Sequence, residues 1–149
     1  MGADLYISAL FNRQYGAWEP KLEKATAARD AAPAGTRERE LAQALVEHCF
    51  KQLYAQGYFR DSYNPSNLLW KFGLSWWSDI TPLLDEAGQL LPVDARHLLA
   101  VLRNREPRFE SELAGMTAAD QAAFRSRYEE LKAFLSEAIR LNAPITASL

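Results

Sequence analysis

Cysteine is almost missing from this 149-residue chain, histidine is scarce, and no long apolar run interrupts it. The single cysteine, Cys49, excludes an internal disulfide framework and a cysteine-based zinc site. It also suits a reducing, cytoplasmic compartment. Two histidines, His48 and His97, leave little for acid–base chemistry or metal ligation. The longest strictly apolar stretch, Leu98–Leu102, falls far short of the roughly 18 residues that a membrane span needs. No basic region followed by an apolar segment opens the chain, so neither a membrane anchor nor a secretory leader is expected. Tyr6 stands where N-myristoylation requires Ser or Thr, and Pro65 disqualifies Asn64-Pro65-Ser66 as a glycan acceptor.

An excess of one charge is missing too. Seventeen basic and 19 acidic residues leave a net charge of −2, which gives neither a basic field for nucleic acid nor an acidic tail. The seven glycines are too widely spaced to build a phosphate loop. No dinucleotide fingerprint, nucleophile elbow, His-Glu zinc helix or calcium loop is found. These gaps weigh against an enzyme, and no cofactor or metal is expected.

What the chain does have is helical patterning. Thr117 can cap a C-terminal helix, with Asp120 three residues on. Phe124, Tyr128, Leu131, Leu135 and Ala138 then share one face, and Asn142-Ala143-Pro144 ends it. From about Thr36 to Gln56, Ala42, Leu45, Val46, Cys49, Phe50 and Leu53 make an apolar face broad enough for a central helix of the core. Glu19 to Ala32 is rich in Ala, Lys and Glu, so Pro33-Ala34-Gly35 should join two helices as a hairpin. Asn64-Pro65 can open a short helix carrying Leu68, Leu69 and Phe72, closed by Gly73. Ser75 can cap a further segment, and Pro92–Asn104 reads as one more helix. Residues 1–15 alternate at Leu5, Ile7 and Ala9 as a strand would, yet no second strand candidate offers a partner, which favours helix. The expected fold is all-α, a compact single domain of six to seven helices over residues 1–149.

The block that stands out is 54–79, which holds eight of the 17 aromatic residues. Interleaved polar groups make Arg60, Asp61, Tyr63, Asn64, Trp76, Trp77 and Asp79 the candidate ligand- or partner-binding residues. A guanidinium beside aromatic rings can stack on them and still fork to an anion. The same residues would equally serve to fill a core and satisfy the backbone of a buried loop.

Other constellations are weaker. Neighbours on a helix point about 100° apart, so His48 and Cys49 do not form a base and nucleophile, and Cys49 reads as an inert core thiol. Asp94 and His97 share a helix face but lack further metal ligands. Arg96, Arg103, Arg105 and Arg108 gather near a helix end, where they suit the helix dipole better than a phosphate backbone. The expectation is therefore a binding module for another protein. A small-molecule pocket or enzyme built on residues 58–79 is the second reading, and nucleic-acid binding through arginines 96–108 the third.

Overall fold

A computed structural model describes residues 2–62 and 67–149. The protein is mostly helical but not all-α, because it also contains a small four-stranded sheet. Among the described residues, no helix is long and apolar enough to cross a membrane. The chain divides into two compact units. One is formed by the residues up to Ile7 together with Phe59–Leu149, and the other by Ser8–Tyr58.

The first unit holds the sheet. Strand β1 spans Gly2–Tyr6, β2 Tyr58–Ser62, β3 Gln89–Leu90 and β4 Ile145–Ser148, in the spatial order β2-β1-β4-β3. β4 runs antiparallel to β1, with Leu5 opposite Ala147, and antiparallel to β3, with Leu90 opposite Ile145. Alternation decides β1: Ala3 and Leu5 are buried while Gly2, Asp4 and Tyr6 are half-buried. The expected N-terminal helix therefore begins only at Ser8, and the partners that β1 seemed to lack are β2 and β4. Both were hard to see. β2 points a charged residue, Asp61, inward beside Phe59, and β4 has only four residues.

Three helices complete this unit: α3 Pro92–Asn104, α4 Glu106–Leu113 and α5 Ala118–Arg140. Thr117 caps α5 as its sequence predicts, its hydroxyl accepting from the Asp120 amide at 3.2 Å. Tyr128, Leu131, Leu135 and Ala138 are buried along one face of α5, while Phe124 is only half-buried. A 3₁₀ turn at Leu69–Phe72 ends at Gly73, whose φ of 71° is left-handed. An added Cβ there would collide with the Arg108 guanidinium. Arg105 donates to the Phe72 and Gly73 carbonyls at 3.1 and 3.3 Å. Of the four clustered arginines, Arg105 thus bonds to this turn and Arg108 packs against it.

Phe72 stacks on Phe109 at 4.6 Å between centroids and meets Tyr128 edge-on at 4.8 Å. The Tyr128 hydroxyl donates to Glu106 at 2.7 Å. Burial first, and then the Glu106 carboxylate, raise the Tyr128 pKa above the ordinary phenol range. A folded-state pKa above the unfolded value means full stabilisation below about pH 10, lost as pH rises through the folded value. Tyr128→Phe should cost about 1 kcal/mol at neutral pH. The gap between wild type and variant should narrow in urea melts repeated above about pH 10. A gap that stays constant with pH would remove the phenol from the alkaline response.

The second unit is a helical hairpin. Helix α1 spans Ser8–Ala31 and α2 spans Arg37–Leu53. α1 runs straight through Gly16 and Pro20, so it starts well before the Glu19 that composition suggests. Proline's ring crowds the carbonyl four residues earlier, and here that residue is Gly16. Thr36 caps α2, accepting from the Arg39 amide at 3.3 Å and donating to the Pro33 carbonyl at 2.7 Å. The seam is partly polar. Gln14 donates to the Gln52 carbonyl at 2.8 Å, and Arg29 to the Gln43 side chain at 3.1 Å. Only Ala25, Cys49 and Leu53 are buried in the two helices. α2 is therefore not the central core helix that its broad apolar face predicts, because Leu41, Leu45 and Phe50 are exposed. Cys49 is a buried thiol, as its place on the stripe implies.

Candidate functional site

Five of the seven residues singled out from the sequence can be placed; Tyr63 and Asn64 lie outside the described residues. Strand β2 sets the first two, because its alternation turns Asp61 inward and Arg60 outward. Asp61 is 4% exposed. One of its oxygens accepts from the Ser62 and Leu68 amides, both at 3.0 Å. The other accepts from the Leu69 amide at 3.1 Å and from Trp76 Nε1 at 2.8 Å. The Arg127 guanidinium stands 3.9 Å away. A carboxylate holding four donors has spent its lone pairs on the fold. Asp61 is thus a buried strut that ties β2 to the loop beyond it and to Trp76.

Asn67, left out of the candidate set, repeats the device. It is buried, donates to the Ser62 carbonyl at 2.6 Å and accepts from the Trp70 amide at 2.8 Å. An Asn two residues before a short apolar turn was the signal for it.

Trp76 and Trp77 separate. Trp76 is fully buried, whereas Trp77 is 66% exposed. They begin a single π-helical turn, Trp76–Ile80, whose N-terminal end is closed by a reciprocal pair of hydrogen bonds. Ser75 Oγ accepts from the Ser78 amide at 3.3 Å, and Asp79 accepts from the Ser75 amide at 2.7 Å. Asp79 is therefore a capping residue. Among the described residues, no three His, Cys, Asp or Glu side chains converge to hold a metal ion.

Arg60 reaches back along the sheet to Asp4 at 3.8 Å. Its carbonyl accepts from Arg127, whose guanidinium lies 5.3 Å from the Phe59 ring centroid. Beside them opens a cleft of about 370 Å³ lined by Arg60, Asp61, Ser62, Leu68, Ala123, Phe124 and Arg127. The one-face stripe of α5 explains its far wall, since Ala123, Phe124 and Arg127 sit within one turn.

A different surface gathers on the hairpin. Phe11 lies 5.5 Å from Tyr15, 5.9 Å from Tyr54 and 6.1 Å from Tyr58, centroid to centroid. Tyr54 lies 5.6 Å from Phe50 and 4.9 Å from Tyr58. Phe50 and Tyr54 are 56% and 37% exposed. None of these five was a site candidate, although the sequence carries the signal. Phe11 and Tyr15 are four apart, and so are Phe50 and Tyr54, the spacing that stacks rings along a helix face, while Tyr58 joins them from the start of β2. Glu19, the largest influence, raises the Tyr15 pKa by its charge and by a hydrogen bond, and Glu23 adds to it. One margin of the ring cluster is therefore acidic.

Compared with known proteins, the chain matches no family model, no curated protein and no solved structure.

Proposed function

We propose that this is a non-catalytic protein-interaction module that docks its partner on the ring cluster Phe11, Tyr15, Phe50, Tyr54 and Tyr58. The observation that carries this reading is the exposure of Phe50 and Tyr54 within one continuous cluster of rings. Five linked rings at a surface are an apolar patch, and aromatic side chains dominate binding hot spots. The acidic margin at Glu19 and Glu23 suits a partner whose apolar anchor is flanked by Lys or Arg. Saturation of Asp61 by four donors weighs against acid–base catalysis in the 58–79 block. Internal use of Arg105 weighs against nucleic-acid binding.

The double variant Phe50→Ser, Tyr54→Ser tests the proposal. Its melting should show a loss of no more than about 2–3 kcal/mol, because Phe50 and Tyr54 are the exposed members of the cluster, so the chain stays folded. A protein captured on the immobilised wild-type chain should bind the variant at least roughly tenfold more weakly, the loss expected when two hot-spot rings go. Equal affinity for both chains would refute the ring cluster as the docking surface. A partner that proves to be a second copy of this chain would show as a concentration-dependent mass lost in the variant.

A further inference from the structure

The geometry points to a second binding site, independent of the ring cluster: the cleft between β2 and α5 takes a small organic monoanion, a carboxylate on an apolar body. Two guanidinium groups, Arg60 and Arg127, line one open cleft, and both side chains are substantially exposed. Arg127 spends one donor on the Arg60 carbonyl, and Arg60 meets Asp4 only at 3.8 Å. Each guanidinium carries five N–H donors in a planar fork, so most remain to be offered to an oxyanion. Lys71 stands 5.3 Å from the centroid of the Phe124 ring, which shares the α5 wall with Arg127.

Charge selects the class of ligand. Among the described residues that line the cleft or touch its lining, Arg60, Arg127 and Lys71 are cations and Asp61 and Asp4 are carboxylates. One positive charge is left over, which a monoanion balances and a dianion overshoots. Asp61 is itself a lining residue, 4% exposed and already holding four protein donors, so its charge opposes a second negative charge on the ligand. Leu68, Ala123 and Phe124 supply the apolar lining, which phosphate could not use and a ring or short alkyl chain would. The volume, about 370 Å³, suits a ligand of that size.

Benzoate is the probe, with benzamide as its uncharged isostere and inorganic phosphate as the compact anion. Amide spectra of the full chain should show saturable benzoate shifts at Leu68, Ala123 and Arg127. Benzamide should bind at least roughly tenfold more weakly, since a charge-assisted hydrogen bond is lost. Arg60→Gln should weaken benzoate by a similar factor while melting like wild type, because the Arg60 side chain is exposed. Phe124→Ala should weaken benzoate but not whatever binding phosphate shows. The proposal is overturned by shifts that do not saturate, by equal binding of benzamide, by tighter binding of phosphate, or by an Arg60→Gln chain that binds benzoate as wild type does.

Discussion

Asp61→Asn should destabilise the sheet-bearing unit by about 2–6 kcal/mol although it exchanges a single heavy atom. The two carboxylate oxygens accept from three backbone amides and one indole N–H. An asparagine keeps the shape but turns one acceptor into a donor, so two buried N–H groups must face an NH₂ whichever way the amide is turned. Each buried donor left unmet costs about 1–3 kcal/mol, and hydrogen bonds to a charged acceptor lie at the upper end. Two or more such losses approach the roughly 5–15 kcal/mol by which a domain is stable at all. The readout is a urea melt followed by tryptophan fluorescence, since Trp76 is itself a partner of Asp61. Trp76→Phe should then cost less in the Asp61→Asn background than in wild type, because the indole N–H no longer has its acceptor. A variant that melts within about 1 kcal/mol of wild type would mean that Asp61 does not hold the loop.

Phe72→Ala should rank next, at about 3–5 kcal/mol. Phe72 is fully buried, stacked nearly parallel on Phe109 and met edge-on by Tyr128. Truncation leaves a cavity between two rings that are themselves held, Tyr128 by its hydrogen bond to Glu106 and Phe109 by the short helix α4. Such a site collapses poorly, which puts the cost in the upper part of the range. Phe72→Leu should recover more than half of the loss, as it refills most of the volume without the stacking. Thermal melts of the two variants give the comparison. Equal destabilisation by both would mean that ring geometry, rather than filled volume, governs this part of the core.

Helices with clean stripes and side-chain caps were legible from the chain alone. Thr117 caps where its spacing to the apolar run says it should, α2 begins beside Thr36, and α3 runs from Pro92 to Asn104 as its pattern implies. The sheet was not legible, for two physical reasons. β2 hides its alternation by burying a carboxylate, which looks polar in sequence and core-facing only once its four donors are in place. β1 could not be recognised without partners, and those partners are distant in sequence, at 58–62 and 145–148. α2 misled in the opposite direction, because Leu45 and Phe50 fit a buried stripe yet end exposed. For the site, the 54–79 block did concentrate unusual residues, but Asp61, Trp76 and Asp79 turned out to be occupied in holding local structure. The ring cluster escaped notice because it joins Phe11 and Tyr15 to Phe50–Tyr58 across the hairpin, a pairing visible only when α1 and α2 lie side by side.

The sheet order carries a kinetic consequence. Because β4 sits between β1 and β3, β1 is synthesised about 140 residues before the strand that pairs with it on that side. Closing so long a loop is slow. Until residues 145–148 emerge, Ala3 and Leu5 have an open edge beside them, the condition in which a strand is most exposed to wrong pairing.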